Sequence, residues 1–224
     1  MYTVFVHCLT DNIKLKGKVT IMGKAKKQED FGIYRNIIKR LCDIVASLVL
    51  VIIALIPGII IACLIKLTSR GPVFFEQDRV GREGRPFKMY KFRSMVVDAP
   101  HEISTADFKN ANKYITRIGN FLRKTSFDEL PQLFNVLKGD MSIIGPRPLI
   151  PTEVVINKER HELKIDEILP GITGLAQING RDRIDDRTKL SYDLQYYQEL
   201  SFALDVRILF KTISNVAVGK DIQD

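Results

Sequence analysis

The sequence predicts an α+β, mainly helical fold. Its parts are a re-entrant membrane helix of helix–break–helix form, amphipathic interfacial helices, and a small domain with a short β-hairpin. Three observations predict this. Residues 44–65 form an uncharged apolar run interrupted by Pro57-Gly58. Residues 73–77 and 86–92 are rich in aromatic residues and flank a glycine-containing turn. Much of the remainder repeats its apolar residues at helical spacing.

Taken in order, residues 1–30 are polar and lysine-rich, as expected of a basic, flexible extension, and Met22-Gly23 offers an alternative start within them. Residues 31–69 form the amphipathic approach and the membrane helix, and residues 70–224 the catalytic domain. As a straight helix, 22 residues reach about 33 Å, enough to cross the hydrocarbon core. The run starts too far into the chain for a signal peptide and lacks a small-residue cleavage site. Pro57 removes a backbone donor and crowds the preceding turn, so Pro57 and Gly58 predict a break. Both flanks are basic, with Lys39 and Arg40 before the run and Lys66, Arg70, Arg79, Arg82 and Arg85 after it. A spanning helix normally shows this excess on one side. A helix that dips in and returns to the same face satisfies both facts; a kinked span is the alternative.

The strands at 73–77 and 86–92 are joined through the turn at 81–85, and residues 98–112 form a polar loop near a substrate entrance. Tyr114, Ile115, Ile118, Phe121 and Leu122 predict an interfacial or core-packed helix. A second helix is expected over 126–138, stopped by Gly139. Residues 168–181 read as a glycine-punctuated loop. Helices follow over 186–199 and 203–217, with Leu190, Leu194, Leu204, Ile208, Leu209, Ile213 and Val216 as core.

Composition removes several classes of function. Cys8, Cys42 and Cys63 are an odd set without framework spacing, which argues against a secreted disulfide scaffold. His7, His101 and His161 are scattered and form no zinc motif. The net charge is +8, and the first 40 residues hold nine basic against three acidic side chains. A basic arm beside an apolar run suits an anionic membrane surface. No base-reading motif accompanies the charge, so nucleic acid is not the expected partner. Neither a P-loop nor a dinucleotide fingerprint is present.

The stretch Ser126-Phe127-Asp128-Glu129-Leu130-Pro131-Gln132 is the candidate reactive centre. Ser126 and Glu129 have capping-box spacing, and a structural cap is the plain alternative to a chemical role. A helix start favours an ionised carboxylate, as a nucleophile or metal ligand requires. A carboxylate repels phosphate unless cations intervene, and Mg²⁺ with basic side chains is the usual remedy. Lys91 and Arg93 end a strand, Arg123 ends a helix, Arg147 lies between two prolines, and Arg181 closes the 170–181 loop. A guanidinium can pair two phosphate oxygens at once.

These segments, in order, resemble the bacterial sugar transferase family, the monotopic phosphoglycosyl transferases. The matching stretches are Lys39-Arg40-Leu41-Cys42-Asp43, residues 71–81, Lys91-Phe92-Arg93-Ser94-Met95, residues 126–132, residues 135–142, Gly145-Pro146-Arg147-Pro148 and residues 170–181. The resemblance covers roughly residues 36–217. The resemblance implies a re-entrant helix and a domain on the cytoplasmic face of the bacterial inner membrane. It implies transfer of a sugar-1-phosphate from a UDP-sugar to polyprenyl (undecaprenyl) phosphate, with release of UMP, at the first membrane step of capsule, exopolysaccharide, O-antigen or glycoprotein glycan synthesis. Asp128 and Glu129 match the family's dyad, so Asp128 would form a phosphosugar intermediate and both carboxylates would lie at the Mg²⁺. Lys91, Arg93, Arg123, Arg147 and Arg181 would bind substrate. The family's break often carries Ser-Pro, whereas this chain has Ile56-Pro57. Membrane lipid is an implied partner, and a homo-oligomer is left open. A membrane-associated nucleotide-sugar pyrophosphatase and a non-enzymatic basic membrane module are the rival readings.

Overall fold

A computed structural model describes residues 32–99, 113–180 and 184–218. The N-terminal extension, residues 100–112 of the polar loop, and Arg181 lie outside the described residues. Residues from Phe31 onward belong to one compact unit.

Helix begins at Gly32 and passes through a π-helical turn, Tyr34–Ile38, into α1, Lys39–Thr68. α1 is inside out. Its buried residues include Lys39, Asp43 and Ser47, which recur every four positions on one stripe. Most of its aliphatic residues face outward, with Ile52 and Ile53 each 65% and Ile56 71% exposed. The helix is long and apolar enough to cross a membrane, and only 11% of its most apolar window is buried. A core helix of a soluble protein would show the reverse burial. The helix continues through Pro57, so the expected break is not an interruption of helical structure. Proline removes one intrahelical bond, while packing anchors α1 on both sides of it. Toward the N-terminus, Lys39 Nζ lies 2.7 Å from Asp205, and Asp43 accepts from Ser142 Oγ at 2.8 Å and from the Ile143 N–H at 3.1 Å. Toward the C-terminus, Ile61 and Ile65 pack with Phe92 and Leu122.

The predicted hairpin is present as β1, Phe74–Val80, and β2, Pro86–Phe92, antiparallel from Phe74↔Phe92 to Val80↔Pro86. α2, Arg117–Thr125, is capped by Thr116, whose side chain accepts from the Gly119 N–H at 2.9 Å. Tyr114 and Ile115 therefore precede it, and Ile115 bridges to Met95. The helix expected over 126–138 is two pieces, a 3-10 turn at Phe127–Glu129 and α3, Gln132–Lys138. Gly139 ends α3 in the left-handed region, as predicted.

Beyond α3 come β3, Ser142–Ile144, α4, Val154–Glu162, β4, Gly171–Thr173, and the short α5, Leu175–Ile178. β3 and β4 pair in parallel, so part of the predicted loop is strand and helix. α6, Asp186–Glu199, and α7, Phe202–Val218, match expectation closely. One core cluster joins Ile144, Ile168, Tyr196, Leu200 and Ile208. Leu209, Ile213 and Val216, expected in the core, are exposed on α7. Helical periodicity marks an apolar face, and here that face is not covered by protein.

Candidate active site

Ser126 places the reactive segment. Its backbone is left-handed (φ 58°), so it ends α2 and reverses the chain. An N-cap needs extended backbone, and the Ser126 side chain makes no cap bond. The capping box is therefore not formed; the Glu129 N–H instead donates to the Ser126 carbonyl at 3.2 Å. The resulting tight turn buries Asp128 and Glu129, which are 8% and 9% exposed.

β2 delivers Lys91, whose Nζ lies 3.0 Å from Glu129 Oε1. Asn135 aligns this strand on α3: its Nδ2 donates to the Lys88 carbonyl at 2.7 Å, and its Oδ1 accepts from the Tyr90 N–H at 3.0 Å. Arg147 follows β3, and its Nη1 lies 3.8 Å from the same Glu129 oxygen. Its backbone is held by Arg160, which donates to the Arg147 carbonyl at 2.8 Å. The adjoining Pro148 carbonyl accepts from Arg79 Nη1 at 3.0 Å.

Arg79 belongs to this cluster, although its sequence setting did not single it out as a site residue. It lines a narrow cleft with Lys91, Glu129, Gln132 and Arg147. Burial, with Arg147 nearby, pushes its guanidinium down to about 10, which leaves it charged at neutral pH. The available signal was strand alternation, which puts Gln77 and Arg79 on one face; Arg79 Nη2 donates to Gln77 Oε1 at 2.6 Å.

The structure does not bring every predicted cation to Glu129. Arg93 is buried at the C-terminal end of α1, where it donates to the Arg70 carbonyl at 2.9 Å and to the Ser69 carbonyl and hydroxyl at 3.0 and 2.6 Å. Lys91, two residues earlier at the same end of the strand, reaches the carboxylate instead. Arg123 lies half-buried in the last turn of α2.

A cavity of about 390 Å³ opens beside the dyad. Phe127, Glu129 and Arg147 line one part of it, and Leu50, Ile53 and Pro57 of α1 line another. Pro57 thus borders the site, while Gly58 faces Phe92. Close backbone approach joins the loop after β3 to β4 and the start of α5. A methyl carbon on Gly171 would stand 2.0 Å from the Gly145 nitrogen, and one on Gly174 would stand 2.1 Å from the Gly145 carbonyl oxygen.

Among the described residues, no group of three or more His, Cys, Asp or Glu side chains is placed to hold a metal. The donor set is the adjacent pair Asp128 and Glu129. Such a pair suits a hard cation that keeps several waters and takes phosphate oxygens, which is how Mg²⁺ binds.

The model of the bacterial sugar transferase family matches residues 34–219. The chain is 40% identical over 187 residues to the uncharacterized sugar transferase EpsL of Bacillus subtilis, covering 84% of this chain and 91% of that protein. It is 43% identical over 196 residues to a UDP-glucose:undecaprenyl-phosphate glucose-1-phosphate transferase of Klebsiella pneumoniae. It is 42% identical over 202 residues to an undecaprenyl-phosphate galactose phosphotransferase of Salmonella typhimurium. Each of these last two matches covers 82% of this chain but only 41% of the relative.

Proposed function

Because the chain belongs to the bacterial sugar transferase family, we propose that it moves a sugar-1-phosphate from a UDP-sugar to undecaprenyl phosphate, releasing UMP. The observation that carries this reading is the meeting of two chemistries in one cavity. Glu129, with Lys91 and Arg147 beside it, lines the same space as the apolar residues of α1. A soluble nucleotide sugar and a lipid that stays in the bilayer can react only where such surfaces adjoin.

In the proposed reaction an ionised Asp128 oxygen attacks the β-phosphorus of the UDP-sugar. The bond from that phosphorus to the bridging oxygen breaks, and UMP leaves with the electron pair. Asp128 then carries the sugar-phosphate as an acyl phosphate. An oxygen of the lipid phosphate attacks the same phosphorus, restores the carboxylate and yields a lipid diphosphate sugar. Lys91, Arg147 and Arg79 offset negative charge on the phosphates, and the buried turn excludes competing water. Asp128 and Glu129 would hold Mg²⁺, which supplies Lewis-acid charge to the phosphate oxygens. Arg123, Arg93 and Arg181 remain proposed contributors to substrate binding.

The same reading puts the catalytic body on the cytoplasmic face of the inner membrane, with α1 re-entrant. Support comes from both ends of α1 packing on one body, through Asp43 and Ser142 at one end and Ile65 and Leu122 at the other. The product would be the first lipid-linked unit of a surface polysaccharide.

The test incubates detergent-solubilised protein, Mg²⁺ and undecaprenyl phosphate with a panel of UDP-sugars and measures UMP. Acceptor-dependent UMP release and a sugar-phosphate mass on residue 128 with donor alone are expected. Repeated turnover without acceptor would instead identify a pyrophosphatase. Cysteine labelling in sealed vesicles should find residues before 39 and after 70 on the same side; opposite sides would restore a spanning helix.

A further inference from the structure

The amide of Gln177 is the least explained polar group bordering the cavity. Gln177 lies on α5. Its Oε1 and Nε2 are both sealed from solvent, and among the described residues neither has a hydrogen-bond partner. An amide in that condition is costly unless something else satisfies it. Its surroundings do not answer it, because the nearby polar groups are engaged. Thr173 and Thr212 share a hydroxyl contact at 2.8 Å, Thr212 also donates to the Ile208 carbonyl at 2.9 Å, and Asn215 Nδ2 donates to the Ile178 carbonyl at 3.3 Å. Gln177, Thr173, Thr212 and Asn215 all line the cavity that holds Glu129 and Arg147.

We propose that Gln177 is a specificity residue whose amide, sealed in this structure, turns into the cavity that its side chain borders and there hydrogen-bonds a hydroxyl of the transferred sugar. The proposal rests on the transferase reading above. An amide with both functions open calls for a ligand group that donates and accepts. A lipid tail does neither, and an ionised lipid phosphate only accepts. A sugar hydroxyl does both. Of the donor's parts, the sugar is attached directly to the phosphorus that must sit beside the dyad.

The test measures binding of UDP-glucose, UDP-galactose, UDP-N-acetylgalactosamine and UDP to the full chain by calorimetry, in the wild type and in Gln177→Met. Methionine keeps the side-chain length and removes both hydrogen-bonding functions. The best-bound UDP-sugar should lose roughly tenfold in affinity, as for a neutral hydrogen bond, while UDP binds unchanged. Thermal stability of the unliganded variant should hold or rise, since a sealed, unanswered amide has been removed. That combination separates a ligand contact from a structural one.

Equal weakening of UDP and UDP-sugar would overturn the sugar assignment in favour of the nucleotide. Unchanged UDP-sugar affinity, or a change only in the KM for undecaprenyl phosphate, would also overturn it. A wild type that binds none of the four nucleotides would overturn the transferase reading itself, and this proposal with it.

Discussion

Glu129 and Asp193 are both buried carboxylates beside basic side chains, yet their settings are opposite. Asp193, 2% exposed, is paired with Arg160, whose other terminal nitrogen is satisfied by the Arg147 carbonyl. That centre ties α6 to α4 and to the backbone after β3. At Glu129, Lys91 and Arg147 approach one carboxylate oxygen, Arg79 shares the cleft, and the group borders a cavity. Burial alone therefore does not mark a reactive centre. Several cationic side chains beside an open space are what the proposed centre has and the Asp193 pair lacks. The two centres are also connected, because Arg160 steadies the residue that supplies the second cation.

The sharpest way to break the comparison is Asp128→Asn. Transfer should fall by about a thousandfold or more, as expected for a lost nucleophile, with the thermal unfolding midpoint nearly unchanged; UMP release and a melting curve read the two. Near-normal transfer would return the dyad segment to a structural role. Asp193→Ala should do the converse. It leaves a buried guanidinium without its partner and should destabilise the fold by about 3–5 kcal/mol, seen in denaturant unfolding in detergent. A melting midpoint equal to wild type would show that the pair is dispensable.

Lys91→Met comes next. It should lower kcat/KM roughly a hundredfold by removing positive charge at the developing phosphate charge, with a much smaller change in stability. Equal loss of both would make Lys91 a structural partner of Glu129. The smallest effect belongs to His161, whose bond to Asp166 raises its pKa above the usual 6.5. Its contribution to stability is present below pH 6.5 and is lost as pH rises through the raised folded-state value. Stability measured across that window should therefore slope less in His161→Gln. An unchanged slope would rule out this exposed pair as its source.

How much was readable from sequence differs between these regions for physical reasons. The hairpin was legible because alternation and a glycine turn are local signals, and α6 and α7 because their periodicity is long. Residues 126–138 misled because Ser126-x-x-Glu129 carries capping-box spacing without capping geometry: Ser126 closes α2 with left-handed backbone and cannot also serve as an extended N-cap. The exposed face of α7 was read as core because spacing identifies an apolar stripe but not what covers it. Lys91 and Arg147, expected to bind substrate, both stand beside Glu129, and each lies in a segment of unusual composition. Arg93 sits in the same segment as Lys91, yet it caps α1 through Ser69 and Arg70. Arg79, Gln177 and the parallel pairing of β3 with β4 depend on contacts between distant segments, which no local pattern encodes.

The contact of Gly145 with Gly171 and Gly174 has a mechanical consequence. With no side chain to act as a cushion, the loop after β3 and the start of α5 meet as bare backbone. Arg147 and Gln177 therefore ride on what is effectively one rigid plate. On the proposed reading, a substrate that draws the guanidinium forward should also disturb the amide, and altered donor preference is better sought in outward-pointing side chains than in the seam itself.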